Sequence, residues 1–180
     1  MPILLDPKQS WELSRKHAFF VRLKKAGHAA VIPGKYGLGQ GGFDPGAEDP
    51  YSDGGLCDCS GFYAWAIGLS RRPKPSRPFW IESTAVYQDA TGPQKAFIEL
   101  AVPIPGCGVV YPDRKVLGVH REGHMAIVAS ALPDESNFKT IDCRPSNVKR
   151  TGRAIAAGSG NWMLARGAIF VTLKQDLTQP

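Results

Sequence analysis

The sequence predicts an α+β fold in which helices come first and a small antiparallel sheet follows. Apolar residues recur near a helical period close to the N-terminus and again after Cys59. The second half instead holds four short runs rich in Val, Ile and Ala, each about the length of a strand. No internal repeat or linker divides the 180 residues, so a single domain over 1–180 is expected.

Residues 10–26 read as an amphipathic helix, with Trp11, Leu13 (or Ser14), Ala18, Val21 and Leu23 near one period and Gly27 as the stop. From 34 to 55 the chain is rich in Gly, Asp and Pro and has no apolar periodicity. A loop of that length is usually functional. A second helix is expected to begin at or beside Cys59 and run to Leu69, with Phe62, Trp65 and Leu69 on one face. Residues 79–100 are ambiguous, and short helical pieces are expected at 83–90 and 94–100. The strand candidates are 109–111, 125–129, 139–143 and 168–173.

A composition of 43% hydrophobic and 21% charged residues is ordinary for a soluble globular chain. A domain of this size buries roughly 70% of its unfolded surface, so size alone demands no disulfide or metal staple. The net charge of +6 suits polyanions such as nucleic acid, anionic lipid or envelope phosphates. The positive clusters at Arg22-Leu23-Lys24-Lys25, Arg71-Arg72 and Lys149-Arg150 are short, however, and no nucleic-acid motif or interleaved aromatic stripe accompanies them. They read as solvated surface, and no nucleic-acid partner is expected. Met1-Pro2-Ile3-Leu4-Leu5 is too short for a signal-peptide core, and no stretch approaches the ~18 apolar residues of a membrane span. The expectation is a chain made soluble in the cytoplasm, with no membrane span and no visible leader.

Four cysteines are present, Cys57, Cys59, Cys107 and Cys143. Two disulfides remain open, although no export signal supports them. A metal set such as Cys57, Cys59, Cys143 and His124 lacks the usual Cys-x-x-Cys spacing, and neither metal nor cofactor is expected. The third reading is a nucleophile. Cys59 follows Gly54-Gly55-Leu56-Cys57-Asp58 and opens a strongly helical segment. There, unpaired backbone N–H groups and the helix dipole favour thiolate over thiol and offer an oxyanion site. Ser60-Gly61 keeps side chains small where a substrate carbonyl would approach. On Cys59 alone, a buried apolar cysteine at a helix start explains the pattern equally well.

A thiolate needs a base, and histidine suits neutral pH. His17 falls within the first helix and His28 in the turn after it. His120 and His124 flank Arg121-Glu122-Gly123, and His124 directly precedes the apolar run Met125-Ala126-Ile127-Val128. A strand there would fix its backbone, with Gly123 leaving room on the cleft side.

Asp58-Cys59-Ser60-Gly61-Phe62 before a helix, then Gly123-His124-Met125-Ala126-Ile127-Val128 some 65 residues later, resembles the NlpC family of papain-like cell-wall cysteine peptidases. Pro105-Gly106-Cys107-Gly108-Val109-Val110-Tyr111 is similar to the family's Pro-Gly-Asp strand, with Cys107 in place of the acid. Tyr36 with the glycines at 37, 39, 41 and 42 loosely resembles its upstream Tyr and glycine segment. The likeness spans most of the chain, and the cysteine and histidine motifs are its specific parts.

The resemblance implies an NlpC-type fold with Cys59 as nucleophile, His124 as base, and Tyr36, Asp58 and Ser60 lining the substrate cleft. The family's third member is a polar residue on the next strand. Strand pattern puts Asp142 there, and a slip of one residue would put Cys143 there instead. A carboxylate at that place holds the imidazole tautomer.

The implied activity is hydrolysis of an amide bond in a peptidoglycan stem peptide, between γ-D-glutamate and the diamino acid, through a thioester. An N-acetylmuramoyl-L-alanine amidase, a transpeptidase or a lipid acyltransferase would use the same dyad. A binding module with Cys59 inert is the reading from another class. A toxin delivered between bacteria would bring an immunity or inhibitor protein as partner; phage lysis and housekeeping roles fit the same enzyme.

Overall fold

The computed structural model describes residue 12 and residues 16–51, 54–93, 96–131 and 137–178. The first described helix, α1 (His17–Ala29), buries a stripe of Phe19, Arg22, Ala26 and Ala29. Ala26 and Ala29 carry that stripe through Gly27, which lies within the helix instead of ending it. Trp11, Leu13 and Ser14 of the expected helix lie outside the described residues. α2 (Cys59–Ala66) is shorter than expected, and every residue after Cys59 in it is buried. α3 (Ser83–Thr91) is capped by Glu82, whose carboxylate accepts from the Thr84 and Ala85 N–H groups.

Six strands form one antiparallel sheet: β3 (Phe97–Leu100), β4 (Gly108–Tyr111), β7 (His124–Ala131), β8 (Phe138–Cys143), β9 (Ile155–Ser159) and β10 (Ile169–Leu173). Their spatial order is β3-β10-β4-β7-β8-β9. The class is therefore α+β. Residues 97–100 correct the helix expected over 94–100; residues 94 and 95 lie outside the described set. Phe97 pairs with Leu173 on β10 and donates its N–H to the Asp89 carboxylate on α3. Tertiary pairing overrides local preference here.

Side chains alternate across the sheet. Val110, Met125, Ile127, Ile141 and Ile155 face one core with Phe62, Tyr63 and Trp65 of α2. Val109, Tyr111, Ala126, Val128, Phe138 and Phe170 face the other, with Phe19 of α1. Three short helices complete the described chain: α4 (Pro145–Thr151), α5 (Asn161–Leu164) and α6 (Lys174–Thr178). Met163 of α5 belongs to the second core. Two small pairings flank the sheet. β1 (Lys35–Tyr36) runs parallel to β2 (Leu56–Cys57), and β5 (Arg114–Val116) forms a hairpin with β6 (Val119–Arg121).

Two of the three positive clusters are not wholly solvated. Arg22 is 4% exposed, and its Nη2 reaches both Asp176 carboxylate oxygens at 2.8 Å. Arg71 is 7% exposed. Each gains a carboxylate far off in sequence, which a local charge pattern does not reveal. Among the described residues, no helix is long and apolar enough to cross a membrane.

Candidate active site

α2 begins against the long loop. Asp58 is its N-cap, accepting from the Gly61 N–H at 2.7 Å and the Ser60 hydroxyl at 3.0 Å. Its other oxygen accepts from the Gly39 N–H at 2.7 Å and from Arg71 at 2.9 Å. Arg71 also donates to the Ser60 hydroxyl and the Gln40 carbonyl. The Asp58 and Ser60 side chains border the cleft while their polar atoms serve this cap. The cap leaves Cys59 as the first helical residue, partly exposed. The backbone N–H groups of Cys59 and Ser60 have no acceptor among the described residues. Gly61 is small for a reason other than substrate access: a Cβ there would collide with the Gln40 carbonyl oxygen and the Gly41 backbone. The loop residues 40–42 pack directly on the helix start.

His124 and Asp142 are brought together by strand register. Ile127 pairs with Ile141 and Val128 with Thr140, so His124 at the start of β7 falls on the same face as Asp142 of β8. The His124 Nε2 lies 2.9 Å from Asp142 Oδ2. Cys143, one residue on, turns away and donates to the Cys57 carbonyl. With Nε2 held by Asp142, Nδ1 is the nitrogen left to face Cys59, which lines the same cleft and whose charge acts on the imidazole. Gly123 leaves no open room beside the base. A Cβ there would meet Ser83 Oγ, the Tyr111 carbonyl and the Asp113 N–H.

Burial works against the charged form of His124. The charge of Cys59 and the hydrogen bonds to Asp142 and Cys59 outweigh it, and the pKa is pushed up to about 9. Burial would raise the Asp142 carboxyl, yet the hydrogen bond and charge of His124, then Arg144 and Asn147, hold it below the ordinary carboxylate range. Asn147 donates to Asp142 Oδ1 and to its backbone carbonyl, both at 2.9 Å. Tyr36 borders the cleft; burial first, then the charges of Cys59 and Asp58, push its phenol upward, so it stays a neutral hydrogen-bond donor. All four cysteines are free. Among the described residues no three His, Cys, Asp or Glu side chains converge as a metal site.

These groups open onto a cleft of about 1350 Å³. Its walls are Tyr36 and the α2 start on one side, the β5–β6 hairpin on another, and Arg144, Trp162 and Arg166 beyond His124. Arg71, Asn147, Arg144 and Trp162 were not foreseen from the sequence. Of these, only the Arg71-Arg72 pair had left any local signal, and it pointed to solvent. Chemically, the arrangement offers a thiol at a helix N-terminus, a hydrogen-bonded imidazole fixed by a buried carboxylate, and two free N–H groups beside the sulfur. No protein-family model, curated protein or solved structure matches the chain.

Proposed function

We propose that this chain is a papain-like cysteine hydrolase of NlpC type that cleaves an amide bond of a peptidoglycan stem peptide. The observation that carries the reading is the buried His124–Asp142 pair at 2.9 Å, lining one cleft with Cys59, which opens α2. The α+β frame supports it, with the nucleophile opening a helix and the base opening a strand of an antiparallel sheet.

His124 Nδ1 takes the Cys59 proton, and the thiolate attacks the amide carbonyl. The new oxyanion faces the Cys59 and Ser60 N–H groups. The imidazolium then gives its proton to the leaving nitrogen, the C–N bond breaks, and a thioester remains. Water, deprotonated by His124, attacks that thioester, and the C–S bond breaks to return the thiol. Tyr36 supplies a neutral donor at the acyl side of the cleft.

By the family resemblance the bond is the γ-D-glutamyl–diamino acid amide, and the site of action is the cell wall, reached after delivery. Purified peptidoglycan, incubated with the protein and with its Cys59→Ala variant, tests this by mass spectrometry of released fragments. Cleavage by the unaltered protein alone supports the reading. No release from several wall chemistries, together with slow iodoacetamide labelling of Cys59, overturns it in favour of a binding module.

A further inference from the structure

Beyond His124 the cleft wall is cationic and aromatic. Trp162 lies 5.6 Å from the His124 ring and meets Tyr111 edge-on at 6.0 Å. The guanidinium carbons of Arg144 and Arg166 each lie 5.0 Å from the Trp162 ring centroid. Stacking of this kind fixes a guanidinium plane while leaving its edge N–H groups for a ligand. Among the described residues Arg144 makes its polar contacts through Nε, toward Asp142 and Asn147. Arg166 spends one nitrogen on the Tyr111 hydroxyl, and Arg114 spends one on the Arg166 carbonyl. Among the described residues, no carboxylate lies within ion-pair distance of Arg114 or Arg166.

The acids of the cleft sit elsewhere. Asp113 pairs with His120, Glu82 caps α3, and Asp58 is held by Arg71. The charge of Glu122 is felt at Tyr36, whereas those of Arg166 and Arg114 are felt at Tyr111. Cys59 attacks the carbonyl and His124 protonates the leaving nitrogen, so groups beyond His124 face the amine half of the substrate. Two guanidiniums share the Trp162 ring, and of these only Arg144 has a carboxylate beside it, Asp142, which leaves the charge of Arg166 open to an anion.

We infer that Arg144, Arg166 and Trp162 form a carboxylate-binding subsite that selects substrates whose amine half carries a free carboxylate, as a diaminodicarboxylic acid does. This rests on the hydrolase reading and adds a specificity determinant to it. Two peptides test it, L-alanyl-γ-D-glutamyl-meso-diaminopimelate and the same acyl part on L-lysinamide, which lacks any carboxylate in the amine half. Cleavage is followed with the unaltered protein and with Arg166→Gln. In parallel, calorimetry measures binding of both peptides to Cys59→Ala, with and without Arg166→Gln.

The expected result is at least tenfold higher kcat/KM for the diaminopimelate peptide. Arg166→Gln lowers that value about tenfold and leaves the lysinamide peptide within about twofold, the scale of one charge-assisted hydrogen bond. Arg166 is exposed and bonds only Tyr111 through its side chain, so the variant keeps the fold. Equal cleavage of both peptides overturns the subsite and leaves the hydrolase reading intact. If neither peptide is cleaved, preferential binding of the diaminopimelate peptide that Arg166→Gln abolishes sustains the subsite while the hydrolase reading fails. Equal or absent binding in that case overturns the subsite as well.

Discussion

Replacing Asp142 with asparagine changes one charge and almost no volume, and the surrounding donors dictate the outcome. Asp142 is fully buried, and its Oδ1 accepts from Asn147 while Oδ2 accepts from His124 Nε2 at 2.9 Å and lies 3.2 Å from Arg144 Nε in an ion pair. An asparagine amide has one oxygen for these two sites. With that oxygen toward Asn147, its NH2 group faces His124, which forces the proton onto Nδ1. That tautomer cannot accept the Cys59 proton. With the amide flipped, two NH2 groups of asparagines collide instead. The wrong tautomer in a comparable triad costs about 10⁴-fold, so a loss of about 10³–10⁴-fold in kcat/KM is expected. Breaking a buried ion pair costs about 3 kcal/mol or more, which at about 2–4 °C per kcal/mol lowers Tm by roughly 6–12 °C. Kinetics on a defined stem peptide, calorimetric unfolding and an NMR titration of the His124 ring measure all three. An Asp142→Asn protein within tenfold of full activity, with the His124 pKa unchanged, would refute the reasoning.

The same contacts set three further outcomes. The charge of Cys59 is the largest influence raising the His124 pKa, so Cys59→Ala lowers it, as ring proton shifts across pH 5–10 would record. In the intact protein the folded pKa stands above the ordinary value of about 6.5. Any stability from the imidazolium is thus fully present below pH ~6.5 and lost as pH rises through about 9, and amide hydrolysis falls over the same upper limb as the leaving nitrogen loses its proton donor. Arg71→Met strands the Asp58 carboxylate, whose side chain is 2% exposed, and destabilises the fold by about 3–5 kcal/mol in urea unfolding; adding Asp58→Asn recovers part of the loss. Gly61→Ala drives a Cβ into the Gln40 carbonyl, costing about 1–3 kcal/mol and slowing Cys59 alkylation, because the loop and helix start move together. A Tm within 1 °C (roughly a quarter to half a kcal/mol) of the unaltered protein would contradict that last expectation.

Legibility in the sequence divides by the range of the interaction. Asp58, Cys59 and Gly61 lie within one turn, and cap, cysteine and glycine are written there within four letters. The strands carrying His124 and Asp142 were visible because each is a short apolar run, and alternation alone then puts Asp142 and Cys143 on opposite faces. The supports of the site come from farther away. Arg71 reaches Asp58 across 13 residues, and Trp162 stands beside His124 although 38 residues separate them. Neither has a periodicity that points at its partner. Residues 97–100 fail as a helix for the same reason, since what makes them a strand is β10, more than 60 residues later.

Chemistry and specificity are therefore encoded differently in this chain. In the proposed hydrolase the reacting atoms sit in compact motifs that must be locally correct, because a displacement of about 1 Å at the sulfur or imidazole is enough to lose the reaction geometry. The groups that would choose a substrate, Arg144, Trp162 and Arg166, lie just before α4, on α5 and in the turn after it, outside the sheet strands. Substitutions at 162 and 166 should thus alter which amine half is accepted long before they alter whether an amide is cleaved, whereas Arg144, which also touches Asp142, bears on both. Substitutions at 58, 71 or 147 should do the reverse.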